Sequence, residues 1–319
     1  PLLDEMFEPD GPMRETFAVV AVHRGRIVAE RYANRLPSFT DEGRVVDADV
    51  PLLSWSMAKS MLHATVGLLV GDGLLDVRTR AAAPEWSDPD DPRHAITIEQ
   101  LLQMRDGLDW SEVYSLERPS DVVTMLFGDG RSGMAAFAAD RSLVAPPGER
   151  YCYSSGTSNI LSAIVARLLG PGAPYEAYVR TRLFDAIGMT SARPTFDDAG
   201  TWIASTFVHA TARDFARFGL LYLRDGVWNG TRILPERWVD TARTSRSTDP
   251  DDGRRYGAHW WVTEDGFGSF WANGYEGQSI LVCPALDLVL VRIGRTDEAG
   301  CALLPSWRAR VVDAFAATA

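Results

Sequence analysis

Ser56 and Lys59 are the pair of residues in this chain whose types and spacing are best suited to nucleophilic chemistry. They stand three residues apart in the run WSMAKS, residues 55–60. Residues at i and i+3 share one face of a helix, so the serine hydroxyl would lie within reach of the amine. Ser-x-x-Lys is a known pairing of a nucleophile with its base. The spacing therefore predicts Ser56 as nucleophile and Lys59 as base, although so short a pattern also arises by chance.

Lys59 is the only lysine in the chain, and every other one of the 32 lysine and arginine side chains is an arginine. Either cation serves on a solvated surface, but a base must be able to lose its proton near neutral pH. A guanidinium stays protonated in proteins, whereas burial lowers the pKa of an amine. The solitary lysine therefore indicates a chemical role that arginine could not fill.

A buried helix and strands at both ends of the chain are predicted to hold this pair. Apolar residues predict an N-terminal hairpin over 17–32 and a buried helix from Ser56 to about Val70. Further helices are predicted over 120–127, 154–169, 175–187 and from Pro305, with a capping box at 97–100. Strands are predicted over 256–262, 267–272, 279–283 and 286–293.

This element order predicts an α/β (α+β) fold in one catalytic unit. Residues 1–55 and 200–319 would form an antiparallel sheet flanked by helices. Residues 56–199 would form an inserted, mostly α-helical region that carries the Ser-x-x-Lys pair. Such a division places a cleft between the two parts.

Composition argues against several partners. The net charge of -11 and a pI near 5.0 disfavour nucleic acid, and no apolar run is long enough to predict a membrane span. Three scattered cysteines indicate a reduced state and favour the cytoplasm. The chain starts at Pro1, however, so export with a removed signal peptide stays open. Oligomeric state is not predicted.

Other catalytic signatures are missing from the sequence. It has no Gly-x-Ser-x-Gly elbow, no His-Glu-x-x-His and no Walker lysine. One Gly-x-Gly-x-x-Gly, at 128–133, lacks the strand-loop-helix unit that dinucleotide binding requires. The five histidines lack metal-ligand spacing, and the acidic loops 87–92 and 248–253 are expected to be plain turns. We therefore expect no metal and no cofactor.

The run PPGERYCYSSG, residues 146–156, is the second informative segment. Ser56-x-x-Lys59 followed by this run resembles the penicillin-recognising serine hydrolases of the class C β-lactamase type. Four further stretches, 97–108, 211–219, 256–261 and 274–278, resemble family segments in the same order. The resemblance implies a β-lactamase-like fold and hydrolysis of a small-molecule ester or amide.

Tyr153 matches the tyrosine of the second family motif, Tyr-x-Asn. The resemblance implies a catalytic phenol that passes protons between nucleophile and leaving group. Ser155 stands where the lactamases carry a substrate-contacting asparagine, so substrate binding is expected of it. The substitution also argues against β-lactam turnover.

The third family motif, Lys-Thr-Gly in lactamases, reads Ala272-Asn273-Gly274 here. Ala272 removes the cation that would hold a substrate carboxylate, so a penicillin-like ligand is expected to bind less well. Asn273 and Gly274 would contact substrate. The resemblance also implies an oxyanion hole from the backbone N–H groups of Ser56 and Tyr275.

The sequence is most similar to the branch of 6-aminohexanoate-dimer hydrolases and family VIII carboxylesterases. By this resemblance Tyr114 lies over the substrate, and Trp55, Trp110 and Trp271 could line an apolar acyl pocket. The expected function is hydrolysis of an ester or linear amide through an acyl-enzyme on Ser56. A β-lactamase or D-amino-acid peptidase and a non-catalytic penicillin-binding-like sensor are the alternatives.

Overall fold

An antiparallel sheet of eight strands joins the two ends of the chain in the computed structural model, which describes residues 2–36, 43–114, 117 and 120–317. The strands of the chain are β1 (Thr16–His23), β2 (Arg26–Tyr32), β3 (Leu52–Leu53), β4 (Arg193–Pro194), β5 (Val208–Ala210), β6 (Val227–Trp228), β7 (Thr231–Arg232), β8 (Ser247–Thr248), β9 (Arg255–Tyr256), β10 (Trp261–Val262), β11 (Phe270–Gly274), β12 (Gln278–Cys283) and β13 (Leu288–Gly294). The large sheet has the order β2-β1-β13-β12-β11-β10-β9-β8. The prediction of one sheet built from both termini is therefore confirmed.

Helices fill the middle of the chain and cover the sheet. They are α1 (Met57–Gly71), α2 (Ile98–Leu102), α3 (Asp121–Phe127), α4 (Met134–Ala139), α5 (Ser155–Leu169), α6 (Ala173–Val179), α7 (Ala212–Leu223), α8 (Trp238–Arg243), α9 (Glu298–Cys301) and α10 (Leu304–Ala316). Among the described residues, none of these helices is long and apolar enough to cross a membrane.

Alternation along the strands separates two hydrophobic cores. In β1, Val20 packs into the larger core with α1, whereas Val19 packs into a second core with Trp307 of α10. Successive side chains of a strand point to opposite faces of the sheet, so both faces of β1 are buried. The second core also contains Trp261 and Trp271, which face each other across β10 and β11.

Two predicted elements differ from the structure. The single strand predicted over 256–262 is two short strands, β9 and β10, because the chain turns at His259, whose φ is 56°. The helix predicted over 175–187 is regular only to Val179 and continues as wider and then tighter turns to Ile187. The predicted capping box is present, since Thr97 and Gln100 each accept the other's backbone N–H.

Candidate active site

Ser56 stands at the start of α1, directly after a strained turn. The preceding residue, Trp55, has a φ of 45°, in the left-handed region that non-glycine residues rarely adopt. Ser54 anchors this turn, because its backbone N–H donates to Val208 O at 2.8 Å and its hydroxyl contacts Thr206 O at 3.0 Å. Strain of this kind persists only where the surrounding structure holds it in place, as at many functional sites.

Lys59 lies one helical turn further and is buried, with 1% of its surface exposed. Its Nζ atom lies 3.0 Å from the Oγ of Ser56, 3.0 Å from the Oγ of Ser155 and 2.9 Å from the carbonyl oxygen of Ser205. Burial lowers the pKa of Lys59 to about 8, and the charge of Glu112 partly opposes this shift. The amine is therefore still mostly protonated at pH 7, but a fraction of it is deprotonated there, which an ordinary lysine would not provide.

Glu112 is a residue of this site that the sequence reasoning missed. Its Oε1 accepts the Ser155 hydroxyl at 2.5 Å, and its Oε2 accepts the Ser155 backbone N–H at 2.9 Å and Nε1 of Trp110 at 2.6 Å. Tyr114 also donates to Oε1, at 3.5 Å. The sequence signal was only its place two residues before Tyr114, in the loop already expected to cover the substrate.

Tyr153 lies against the amine of Lys59, with Nζ 4.8 Å from the centre of its ring. Burial raises the pKa of the Tyr153 phenol well above its ordinary value, and the neighbouring Ser56 hydroxyl only partly offsets this. The phenol is consequently protonated at neutral pH. It can donate a proton or pass one on, but a phenol that is protonated at neutral pH is a poor general base. Lys59 is therefore the stronger candidate for the base.

A cleft of about 520 Å³ opens over Ser56. Trp110, Tyr114 and Tyr153 line it, and Tyr114 stacks on Tyr275 with ring centres 4.6 Å apart. Trp55 packs against the edge of Tyr275 at 5.3 Å. Of the three tryptophans expected near the substrate, Trp110 lines this cleft, whereas Trp271 is buried in the second core.

The end of β11 packs tightly against the turn that carries Ser56. A Cβ placed on Gly274 would lie 2.5 Å from the carbonyl oxygen of Ser54, so only glycine permits this approach. The approach places Asn273 and Tyr275 on the wall of the cleft that contains Ser56. The predicted oxyanion amides of Ser56 and Tyr275 thus belong to segments in direct contact.

Two residues of the predicted motifs are buried. Ser155 has no exposed surface and its hydroxyl is held between Lys59 and Glu112, which differs from the substrate contact that the second motif predicts. Ala272 is 1% exposed and faces the larger core. Two arginines line the cleft, Arg150 and Arg254, and Arg254 comes from the loop before β9.

Among the residues that the structure describes, the other candidate nucleophiles and metal ligands do not form a rival site. Burial raises the pKa of Cys152 in the cleft to about 12, so its thiol stays protonated. His63 and His259 are buried, and burial lowers the pKa of each below its ordinary value. No cluster of three histidine, cysteine or acidic side chains able to hold a metal occurs within the described part of the chain.

A large antiparallel sheet beside a serine, a buried lysine and a tyrosine defines the β-lactamase-like class of serine hydrolases. The chain belongs to the β-lactamase family, whose family model matches residues 4–300.

The chain is 27% identical over 277 residues to a 6-aminohexanoate-dimer hydrolase of Paenarthrobacter ureafaciens, and the match covers 76% of this chain. The match spans 65% of that relative's length. Two solved structures share its fold. One, assigned as a 6-aminohexanoate-dimer hydrolase from Bacillus anthracis, has a TM-score of 0.80 and 23% identity, covering 97% of this chain and 81% of the other. The other, a family VIII carboxylesterase, has a TM-score of 0.72 and 15% identity, covering 97% and 96%.

Proposed function

We propose that the protein hydrolyses esters or linear amides through an acyl-enzyme on Ser56. The observation that carries this proposal is the 3.0 Å contact between Ser56 Oγ and the buried Lys59 amine, whose pKa lies at about 8. The similarity to an amide hydrolase and to a carboxylesterase supports the choice of bond.

Glu112 determines the direction in which the lone pair of the neutral Lys59 amine points. The hydrogen of the Ser155 hydroxyl is committed to Glu112, so Ser155 can only accept from Lys59, and the Ser205 carbonyl can only accept as well. A neutral amine has two N–H groups, and these two acceptors use both. The lone pair of Lys59 is therefore directed at the hydroxyl of Ser56.

In the acylation step, Lys59 takes the hydroxyl proton as Ser56 Oγ bonds to the scissile carbonyl carbon. The backbone N–H groups of Ser56 and Tyr275 stabilise the oxyanion that forms. The proton then passes from Lys59 through the Tyr153 phenol to the departing alkoxide or amine as its bond to carbon breaks. Water then attacks the acyl carbon and gives a proton to Lys59. The bond between Ser56 Oγ and the acyl carbon breaks, the acid leaves, and Lys59 passes that proton to Oγ.

Initial rates with a short p-nitrophenyl ester, a linear amide and nitrocefin test this function on the wild type and on Ser56→Ala. We expect ester or amide turnover that Ser56→Ala abolishes and that Ser306→Ala, an exposed control on α10, retains. Mass spectrometry should find an acyl adduct on Ser56. A wild type with neither turnover nor adduct would favour a non-catalytic sensor, and nitrocefin as the best substrate would favour a β-lactamase.

A further inference from the structure

The turn that follows β11 contains a left-handed residue directly after Tyr275. Glu276 has a φ of 60°, and Trp55, directly before Ser56, has a φ of 45°. Each of the two amides expected to form the oxyanion hole therefore has a left-handed neighbour. Such residues persist only where the surrounding structure holds them in place. Ser54 anchors the turn at Trp55, so a corresponding anchor is expected beside Glu276.

Arg292 of β13 supplies that anchor. Its Nη1 donates to the carbonyl oxygen of Glu276 at 2.9 Å, and the backbone N–H of Thr296 donates to the same oxygen at 3.1 Å. A carbonyl oxygen has two lone pairs, and both are therefore used. The peptide bond that follows Glu276 is thus held by a side chain of β13 and by the backbone just beyond that strand.

The guanidinium group of Arg292 is a buried cation. The residue has no exposed surface, and in the described part of the chain its hydrogen bonds go only to uncharged oxygens, the Glu276 carbonyl and the hydroxyls of Thr16 and Thr296. Burial lowers the pKa of Arg292 to about 10, so it stays protonated at neutral pH. A buried charge is costly, and an apolar side chain of similar volume often fills such a space as well or better. The charge therefore indicates a role other than packing.

Two glycines leave the space that this guanidinium occupies. A Cβ on Gly277 would lie 2.8 Å from Nη1 of Arg292, and a Cβ on Gly294 would lie 2.5 Å from its Nη2. Gln278 links the same two segments, because its side-chain amide accepts the backbone N–H of Gly294 at 2.8 Å and donates to its carbonyl oxygen at 2.6 Å. The segment after Tyr275 is therefore fixed to β13 by side chains as well as by strand pairing.

We propose that Arg292 is a positioning residue for the oxyanion hole, because it holds the turn that presents the Tyr275 amide. At one end of this turn Gly274 packs against the carbonyl of Ser54, and at the other Arg292 holds the carbonyl of Glu276. Tyr275 lies between these two fixed points, so its N–H keeps one direction as negative charge develops on the substrate carbonyl oxygen. Donors that are already oriented need no reorganisation during the reaction. This inference rests on the function proposed above.

The loss of Arg292 should act on the reaction only through the turn, because the residue has no exposed surface. With a short p-nitrophenyl ester, we expect Arg292→Met to lower kcat about tenfold or more, with KM little changed, since the donor is used in the transition state. The midpoint of the pH profile should stay at its wild-type value, because no contact of Lys59 is altered.

Arg93→Met is the matched control. Arg93 is also largely buried and also donates to backbone carbonyls, those of Ala139 and Arg141, at 3.0 and 3.1 Å. None of these three residues lines the cleft that contains Ser56. Its loss should lower the thermal unfolding temperature without lowering kcat. An equal fall in kcat in the two variants would assign the loss to stability alone and overturn the inference.

Arg292→Lys is the second variant, to be measured if Arg292→Met does not fold. The lysine keeps the buried charge, but its ammonium group cannot replace the fork of donors that reaches Thr16, Thr296 and Glu276. We expect the same change in the same direction, a lower kcat with KM little changed. Wild-type kcat in a folded variant at position 292 would overturn the inference.

Two measurements test the oxyanion hole and the turn without turnover. Phenylboronic acid adds to a serine hydroxyl and forms a tetrahedral anion, so its dissociation constant should rise in Arg292→Met about as much as kcat falls. Hydrogen exchange of the segment 274–278, followed by mass spectrometry, should be faster in Arg292→Met and unchanged in Arg93→Met.

The exchange measurement separates this inference from the proposed function. Faster exchange of the turn in Arg292→Met, in a protein whose wild type neither hydrolyses esters nor binds the boronic acid, would support the positioning and contradict the hydrolase. Unchanged exchange, kcat and boronic acid affinity in folded Arg292→Met would overturn the positioning and leave the hydrolase in place.

Discussion

The Oγ atom of Ser155 lies 2.5 Å from Oε1 of Glu112, and this contact connects the carboxylate to the amine of Lys59. Lys59 donates to the same hydroxyl at 3.0 Å. A serine at this position does not merely lack the amide found in the lactamases. It forms the middle of a chain of hydrogen bonds that runs from Glu112 through Lys59 to Ser56, and it fixes which way the hydrogens of that chain point.

Lys59→Arg is expected to lower kcat/KM by about 10²- to 10⁴-fold, because a guanidinium cannot accept the Ser56 proton. The measurement is the initial rate with a p-nitrophenyl ester at pH 8. Circular dichroism and thermal unfolding of the variant establish that it is folded. Near-normal rates in folded Lys59→Arg would mean that another group is the base.

The pH dependence of kcat/KM is expected to report the state of Lys59. Below a pH of about 8 the amine is protonated and has no lone pair for the Ser56 proton, so the rate should rise with pH and level off above that value. A pH series with a p-nitrophenyl ester, corrected for spontaneous hydrolysis, measures the midpoint. A flat profile between pH 6 and pH 9 would contradict a titrating amine as base.

Glu112→Gln is expected to shift that midpoint to lower pH and to reduce the plateau rate. The carboxylate raises the pKa of Lys59, so its removal lets the amine deprotonate more easily. The amide can also donate to Ser155, which frees the Ser155 hydrogen to occupy the Lys59 lone pair. Loss of one charge-assisted hydrogen bond corresponds to a rate reduction of about 10- to 100-fold.

A matched control for this variant is Asp251→Asn, which neutralises an exposed carboxylate on the wall of the same cleft. It should leave the midpoint in place. A lower rate in Glu112→Gln with an unmoved midpoint would indicate a purely structural role for Glu112.

Gly274→Ala is expected to separate β11 from the turn that carries Ser56. The new Cβ would lie 2.5 Å from the Ser54 carbonyl oxygen, and overpacking of this kind costs about 1–3 kcal/mol of unfolding free energy. Because the φ of Gly274 is −134°, the effect is steric and not a matter of backbone strain. Turnover should fall as the Tyr275 amide moves.

Gly133→Ala is the control for that substitution. Its φ of −161° suits any residue, and the nearest atom to a new Cβ is 3.9 Å away. Chemical denaturation and ester hydrolysis are measured on both variants. Equal stability and activity in the two would show that the close approach at Gly274 has no functional consequence.

Local patterns of side chains in the sequence were enough to predict much of the secondary structure. The β1–β2 hairpin, the buried helix α1 and the capping box at Thr97 follow from side-chain patterns within short windows, and the structure contains all three. Where the sequence reasoning was wrong, as over 256–262, a left-handed residue at His259 interrupts the pattern. Such a turn leaves no mark in the alternation of apolar side chains.

Ser56 and Lys59 could be chosen from the sequence because one helical turn brings them together and because no other lysine competes. Tyr153 followed from its motif. The residues that contact Lys59 and its partner Ser155 could not be predicted from the sequence, since they come from distant segments. Glu112 precedes Ser155 by 43 residues, and Ser205 follows Lys59 by 146. Burial of the amine and the direction of its hydrogen bonds arise only when the sheet closes on the helices. Sequence spacing thus supplied the reactive groups, and tertiary packing supplied the desolvation and hydrogen bonds that give them their pKa values.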